Sequence, residues 1–142
     1  MLEKKFIIQK LSFKRFSKIK NSKKEIYLDK YIKKHKPHAV IHLATYFSKK
    51  KDKKTLKECI KVNYFFSKIL YQATVDNLVN KFIYTGTNYE SISDNKKVYP
   101  YILSKKKYSI FLKKTSSKKT NLICLYLSNV YGENDKRKKL FN

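Results

Sequence analysis

At 142 residues the chain has the length of one domain, which is large enough to bury a core but small for a cofactor enzyme with its own substrate domain. No apolar run approaches the roughly 18 residues of a transmembrane helix, the N-terminal MLEKKFIIQK lacks a signal-peptide core, and two cysteines are too few for a disulfide framework or a zinc site. We therefore expect a cytoplasmic protein whose Cys59 and Cys124 are reduced core residues, and a net charge of +25 that could attract polyanions.

The first predicted elements follow an unassigned segment, residues 1–24. A helix is predicted over residues 25–36, because apolar residues recur at helical spacing and Pro37 follows. HAVIHLAT at residues 38–45 is a nearly continuous apolar run, which predicts a strand buried on both faces. Apolar residues three and four positions apart then predict a long amphipathic helix over residues 52–74, with Asn63 on its apolar face.

The second half of the chain repeats this alternation. KFIYTGT at residues 81–87 predicts a second strand, and the polar loop NYESISDNKK follows it. Pro100 is well placed to open a helix that runs to about Lys114, and NLICLYL at residues 121–127 predicts a third strand. We therefore predict a three-layer, doubly wound, parallel α/β sheet of Rossmann-like type. The carboxyl ends of its strands should share one edge, where such sheets bind ligands.

A tyrosine followed four residues later by a lysine puts both side chains on one helical face. A chain this rich in the two residue types produces such pairs by chance, and this one has three: Tyr46/Lys50, Tyr64/Lys68 and Tyr101/Lys105. Only Tyr101/Lys105 lies between a strand that ends in TGT and a strand that ends in an NVYG turn. A phenol has a pKa near 10, and a nearby ammonium lowers that pKa, so this pair suits acid–base chemistry.

Four short patterns, KPHAVIHLAT, NKFIYTGT, YILSK and LYLSNVYG, occur in this order. Together they resemble the middle of the extended short-chain dehydrogenase/reductase family, the NAD(P)-dependent epimerases, dehydratases and reductases of nucleotide-activated sugars. The resemblance covers residues 36–142. It implies NAD or NADP as cofactor, a nucleotide-activated sugar as substrate and hydride transfer at a sugar carbon.

By this resemblance Tyr101 is the general acid/base, Lys105 tunes it and bonds the nicotinamide ribose, and Thr87 holds the substrate oxygen. Ala44, Thr45 and Thr85 would line the cofactor groove, and His42 belongs to the strand. Asn63 matches an asparagine that supports the active-site strand, although a satisfied core asparagine explains it equally well. The predicted substrate contacts at the end of the chain are Asn129, Tyr131 and Arg137.

The family's glycine-rich pyrophosphate loop is not found in this sequence, which has only Gly86 and Gly132. Asn21 and Ser22 stand where the family places an acidic residue near adenine, and by the resemblance Asn21 is the predicted cofactor contact there. We therefore expect residues 1–142 to be a partial NAD(P)-binding domain, without the family's substrate part. Its independent activity is in doubt, and an exposed sheet edge is expected.

Two alternatives remain open. One is a lysine-rich binder of nucleic acid or an anionic surface, but all cations except Arg15 and Arg137 are lysines, and they accompany abundant Ile, Tyr, Phe and Asn. A compositional bias of the genome explains that set better than selection for nucleic acid does. The other alternative is a non-catalytic partner, in a homo- or hetero-oligomer, that completes a full-length relative.

Overall fold

The computed structural model describes residues 8, 10, 11, 23–91, 99–128 and 130. Helices and strands alternate along these residues, with a π-helical segment inside the long helix and a short 3₁₀ turn after the second strand. The elements are α1 (Lys24–His35), β1 (Ala39–His42), α2 (Lys53–Ile60), the π-helical segment (Lys61–Phe66), α3 (Ser67–Asp76), β2 (Lys81–Thr87), the 3₁₀ turn (Asn88–Ser91), α4 (Pro100–Thr115) and β3 (Asn121–Leu127).

The three strands form one parallel sheet in the order β1, β2, β3. Lys81 at the start of β2 pairs with Ala39 on one side and with Asn121 on the other, so the strands begin at the same level. Their carboxyl ends therefore lie on one edge, as predicted. The parallel α/β, Rossmann-like fold class is confirmed.

Strand β1 is shorter than predicted, because residues 43–45 leave the sheet after His42. The helix before it, α1, ends abruptly at its C-terminal cap. Lys36 adopts a left-handed backbone conformation with φ 42° and donates its N–H to the Ile32 carbonyl oxygen at 2.8 Å. This caps α1 immediately before Pro37, as the sequence predicted.

The long helix begins where the Asp52 carboxylate accepts the Thr55 backbone N–H at 2.7 Å. Its buried polar and small residues repeat every four positions: Thr55, Cys59, Asn63, Ser67 and Tyr71. In an ideal α-helix each four-residue step overshoots a full turn by about 40°, so these residues would drift around the helix. The wider turns of the π-helical segment offset that drift.

The core lies on one face of the sheet. Phe82 and Tyr84 of β2 are buried there, whereas the alternate residues Ile83 and Thr85 point to the other face and are half-buried. The helices contribute the rest of this cluster, including Leu28, Ile32, Phe66, Leu70, Tyr71, Tyr108 and Leu112. The described helices thus supply one of the two helical layers that a three-layer arrangement requires.

The opposite face of the sheet carries exposed apolar side chains. Ile41 of β1 is 60% exposed, and Leu125 and Leu127 of β3 are 44% and 40% exposed. Of the two cysteines, both free, Cys59 is buried and Cys124 is half-buried. Within the described ranges, no helix is long and apolar enough to cross a membrane.

Candidate active site

The predicted site residues that the structure describes gather where β1 and β2 end and α4 begins. The Thr85 hydroxyl donates to the His42 carbonyl oxygen at 3.2 Å, which ties the ends of the two strands together. Thr45 lies in the segment that follows β1, and Thr87 is the last residue of β2. Parallel pairing therefore brings residues from distant parts of the sequence to one edge.

Tyr101 lies in the first turn of α4, immediately after Pro100. Its half-buried ring packs edge-on against Phe47, with the ring centroids 5.1 Å apart. Burial and the negative charge of Glu90 raise the pKa of the Tyr101 phenol, and a hydrogen bond with the Thr45 side chain acts in the opposite direction. The phenol is therefore protonated at neutral pH.

Lys105, one turn further along α4, is only 3% exposed. Its ammonium donates to the Thr85 carbonyl oxygen at 2.7 Å and lies over the Tyr84 ring, 4.7 Å from the centroid. Burial lowers the pKa of Lys105 to about 8, although the charge of Glu90 acts to raise it. A carbonyl, a ring face and a nearby carboxylate together hold this cation inside the protein.

The expected effect of Lys105 on Tyr101 is not observed. The sequence predicted that the ammonium lowers the pKa of the phenol, but the pKa of Tyr101 is raised. The reason is that Lys105 is directed to the Thr85 carbonyl, while burial and Glu90 dominate the surroundings of the phenol.

Thr87 is buried at the end of β2, with 8% of its surface exposed. Its backbone N–H donates to Glu90 Oε1 at 2.8 Å, which fixes the last peptide of the strand. Thr85 Oγ1 and Thr45 Oγ1 are also anchored, the latter by donating to Asn63 Oδ1 at 3.1 Å. Ala44 is half-buried beside them and packs against the core.

Asn63 connects the two sides of this edge. Its Oδ1 accepts the Tyr46 N–H at 2.7 Å, and its Nδ2 donates to the Tyr46 carbonyl oxygen at 3.0 Å and to the Ser104 hydroxyl at 2.9 Å. Ser104 in turn donates to the Tyr101 carbonyl oxygen at 2.7 Å. The side chain thus holds the segment after β1 against the first turn of α4.

His42 is a core residue, as the sequence indicated. It is 3% exposed, and Nε2 lies 2.6 Å from the Ser67 hydroxyl oxygen. Burial, with a contribution from the charge of Lys105, lowers the pKa of His42 to about 3, so the imidazole is neutral.

Glu90 is the participant that the sequence analysis missed. Its carboxylate is 7% exposed and contacts Thr87, Tyr84 and Ser109. It stands in a loop that reads as polar and solvated, and glutamate is rarely buried. The only signal was its position, three residues after Thr87.

Four predicted residues lie outside the described part of the chain: Asn21, Asn129, Tyr131 and Arg137. Over the described ranges, no group of three His, Cys, Asp or Glu residues could hold a metal ion.

Both a family model and several solved structures match this chain. The model of the NAD dependent epimerase/dehydratase family matches residues 7–142, nearly the whole chain. The chain belongs to this family. No curated protein sequence is significantly similar to it.

Solved structures with the same fold include proteins described as an epimerase and a reductase of nucleotide-linked sugars. WbmH of Bordetella bronchiseptica, crystallised with NAD+, is 20% identical with a TM-score of 0.65, over 80% of this chain and 40% of WbmH. A GDP-6-OMe-4-keto-L-xylo-heptose reductase from C. jejuni is 21% identical with a TM-score of 0.62, over 78% and 36% of the two chains. UDP-glucose-4-epimerase of Stenotrophomonas maltophila, with bound NAD and formylated UDP-arabinopyranose, is 18% identical with a TM-score of 0.60, over 72% and 34%.

These likenesses show the fold shared by the epimerase/dehydratase family. The chain spans less than half the length of each of these three structures.

Proposed function

We propose that this chain carries the acid–base end of an NAD(P)-dependent active site that acts on a nucleotide-activated sugar, as an epimerase, dehydratase or reductase. The observation that carries the proposal is the pairing of Lys105 with the end of β2. The ammonium is bonded to Thr85, two residues before Thr87, while Tyr101 on the same helix contacts Thr45. The Thr87 hydroxyl, the Tyr101 phenol and the Lys105 amine would thereby lie at one edge of the sheet.

The proposed role of Tyr101 is to donate a proton to the substrate oxygen and to take it back in the reverse direction. Its raised pKa supports proton donation as the starting state, because the phenol holds its proton at neutral pH. The Thr87 side chain would hold the same oxygen. Because Glu90 fixes the Thr87 backbone, the hydroxyl starts from a defined position.

The described residues fit the nicotinamide and ribose end of NAD or NADP. Lys105 supplies a protonated donor, and Thr45 and Thr85 supply hydroxyls. Ala44, in the segment after β1, has a small and half-buried side chain. When bound, the dinucleotide would supply or accept the hydride. Neither glycine provides a pyrophosphate loop, since Gly86 lies within β2 and Gly132 follows β3 in the sequence.

Binding of NADH and NADPH, followed by nicotinamide fluorescence at physiological salt, tests the proposal. Lys105→Met should weaken binding by about ten- to a hundredfold, because a charge-assisted hydrogen bond contributes roughly 1.5–3 kcal/mol. The matched control is Lys114→Met, which removes an exposed lysine from the same helix and should leave affinity unchanged. Tyr101→Phe should retain binding and lose turnover of nucleotide-linked sugars about 100-fold or more.

Two results would contradict the proposal. Equal weakening by Lys105→Met and Lys114→Met, with binding that fades as salt is added, would indicate unspecific attraction to a cationic surface and favour the anion-binding alternative. No binding to the isolated chain would favour a second candidate function.

The second candidate is a partner that completes its site, or that of a full-length relative, in a homo- or hetero-oligomer. The exposed face that carries Ile41, Leu125 and Leu127 favours it, because parallel sheets are ordinarily covered on both faces. Leu125→Lys should abolish association or co-purification with such a relative, whereas Ile26→Lys on α1 should not. A monomer that associates with nothing would rule it out.

A further inference from the structure

Glu90 is a buried carboxylate whose charge has no part in the proposed chemistry. It lies in the 3₁₀ turn after β2 and keeps 7% of its surface exposed. Oε1 accepts the Thr87 backbone N–H at 2.8 Å and the Tyr84 hydroxyl at 3.4 Å, and Oε2 accepts the hydroxyl of Ser109 on α4. The carboxylate therefore bonds to both elements that form the site.

The backbone of β2 is shaped to admit this carboxylate. A Cβ added to Gly86 would lie 2.8 Å from Glu90 Oε1, which is closer than real Cβ contacts. Glycine at this position lets the oxygen approach the strand. Gly86 of the strand and the 3₁₀ turn that carries Glu90 therefore both determine where the carboxylate lies.

Glu90 also faces the charge of Lys105 through one intervening ring. The Lys105 ammonium lies over the Tyr84 ring at 4.7 Å, and the hydroxyl of that ring reaches Glu90. A buried ammonium loses its proton unless a negative charge or polar contacts stabilise it. Glu90 supplies that negative charge in a chain where basic residues far outnumber acidic ones.

We propose that Glu90 is a positioning residue of the site, which fixes the Thr87 peptide and acts as the buried counter-charge of Lys105. This inference rests on the proposed function, because it gives meaning to the placement of Thr87, Tyr101 and Lys105. Its effect is to favour the protonated forms of both the amine and the phenol. The carboxylate acts through these groups and need not touch the substrate.

The polar and titratable groups around Glu90 come from three elements. They are Tyr84 of β2, Tyr101, Lys105 and Ser109 of α4, and Cys124 of β3. Loss of the negative charge should lower the pKa values of Tyr101 and Lys105 together, since Glu90 raises both. A merely structural carboxylate would move neither.

The test is Glu90→Gln, which keeps the shape of the side chain but removes its charge. NMR titration with labelled lysine and tyrosine follows the two groups, and Lys105→Arg and Tyr101→Phe assign their signals. Both pKa values should shift downward in Glu90→Gln. In the control, Glu25→Gln, the loss of an exposed carboxylate should shift neither. Unchanged values in a folded Glu90→Gln protein would overturn the inference.

A measurement on the unaltered chain covers the case in which Glu90→Gln does not fold. A scalar coupling through the hydrogen bond should join the Thr87 amide nitrogen to the Glu90 side-chain carboxyl carbon in the NMR spectrum, because that carboxylate accepts the Thr87 N–H. Absence of this coupling would also overturn the inference. Neither experiment uses a nucleotide or sugar, so failure of cofactor binding with both results intact would count against the proposed function alone.

Discussion

The Asn63 side-chain amide lies 2.9 Å from the Ser104 hydroxyl, and this contact joins the long helix to the helix that carries Tyr101 and Lys105. The same amide pairs with the N–H and the carbonyl of Tyr46. Asn63 is 2% exposed, so its own amide group forms these hydrogen bonds away from water.

Asn63→Ala should lower the free energy of unfolding by roughly 3 kcal/mol, because it removes the four hydrogen bonds of a buried amide. Urea denaturation followed by circular dichroism measures the change. Asn80→Ala, at an exposed position before β2, should stay within about 0.5 kcal/mol of the parent protein. Equal effects of the two substitutions would contradict the bridging role of Asn63.

Acid should destabilise the protein through His42. The folded protein holds the pKa of His42 at about 3, against 6.5 for an ordinary histidine, so between these values the unfolded chain binds more protons. Stability is therefore lost as the pH falls through this window, by at most roughly 5 kcal/mol. Denaturation at a series of pH values should show this slope in the parent and in His38→Gln, an exposed control, but a smaller one in His42→Gln.

Lys105 should produce a dependence of the same sign in alkali. Its folded-state pKa of about 8 lies below the 10.5 of an ordinary lysine, so the unfolded chain binds more protons between these values and stability rises with pH. The rise is at most roughly 3 kcal/mol. Lys105→Met should remove it and Lys114→Met should keep it. If Lys105→Met retains the full slope, general relief of lysine repulsion explains the effect.

Gly86→Ala should destabilise the protein by roughly 1–3 kcal/mol, because the new methyl would lie 2.8 Å from both Glu90 Oε1 and Tyr126 Cδ1. Thermal unfolding measures the loss. Adding Tyr126→Ala should recover part of it, since that removes one of the two clashes. No recovery would indicate that the Glu90 contact alone is decisive.

The sequence predicted most of the fold because its signals are strong and local. Strands β2 and β3 begin and end at the residues predicted for them, and Pro100 opens α4 as expected. Strand β1 is shorter than its apolar run because Asn63 captures the backbone of Tyr46 and draws the chain away from the sheet. Such a contact joins residues far apart in sequence, so no local pattern reveals it.

The electrostatics around the predicted site residues could not be read from the sequence. The spacing of Tyr101 and Lys105 places them on one helix, yet it does not tell where the ammonium points. The Thr85 carbonyl and the Glu90 charge decide that, and both depend on how α4 packs against β2. The expected lowering of the Tyr101 pKa failed for this reason.

The π-helical segment sets a limit on how the long helix can be redesigned. Asn63 and Ser67 each serve a different partner, Ser104 and His42, and both partners are reached because the wide turns delay the rotation of the helix. Ordinary α-helical turns over the same residues would rotate the part of the helix after the π-helical segment relative to the part before it. A regular helix would then reach either His42 or Ser104 but not both, so the ideal geometry would remove one of these two buried hydrogen bonds.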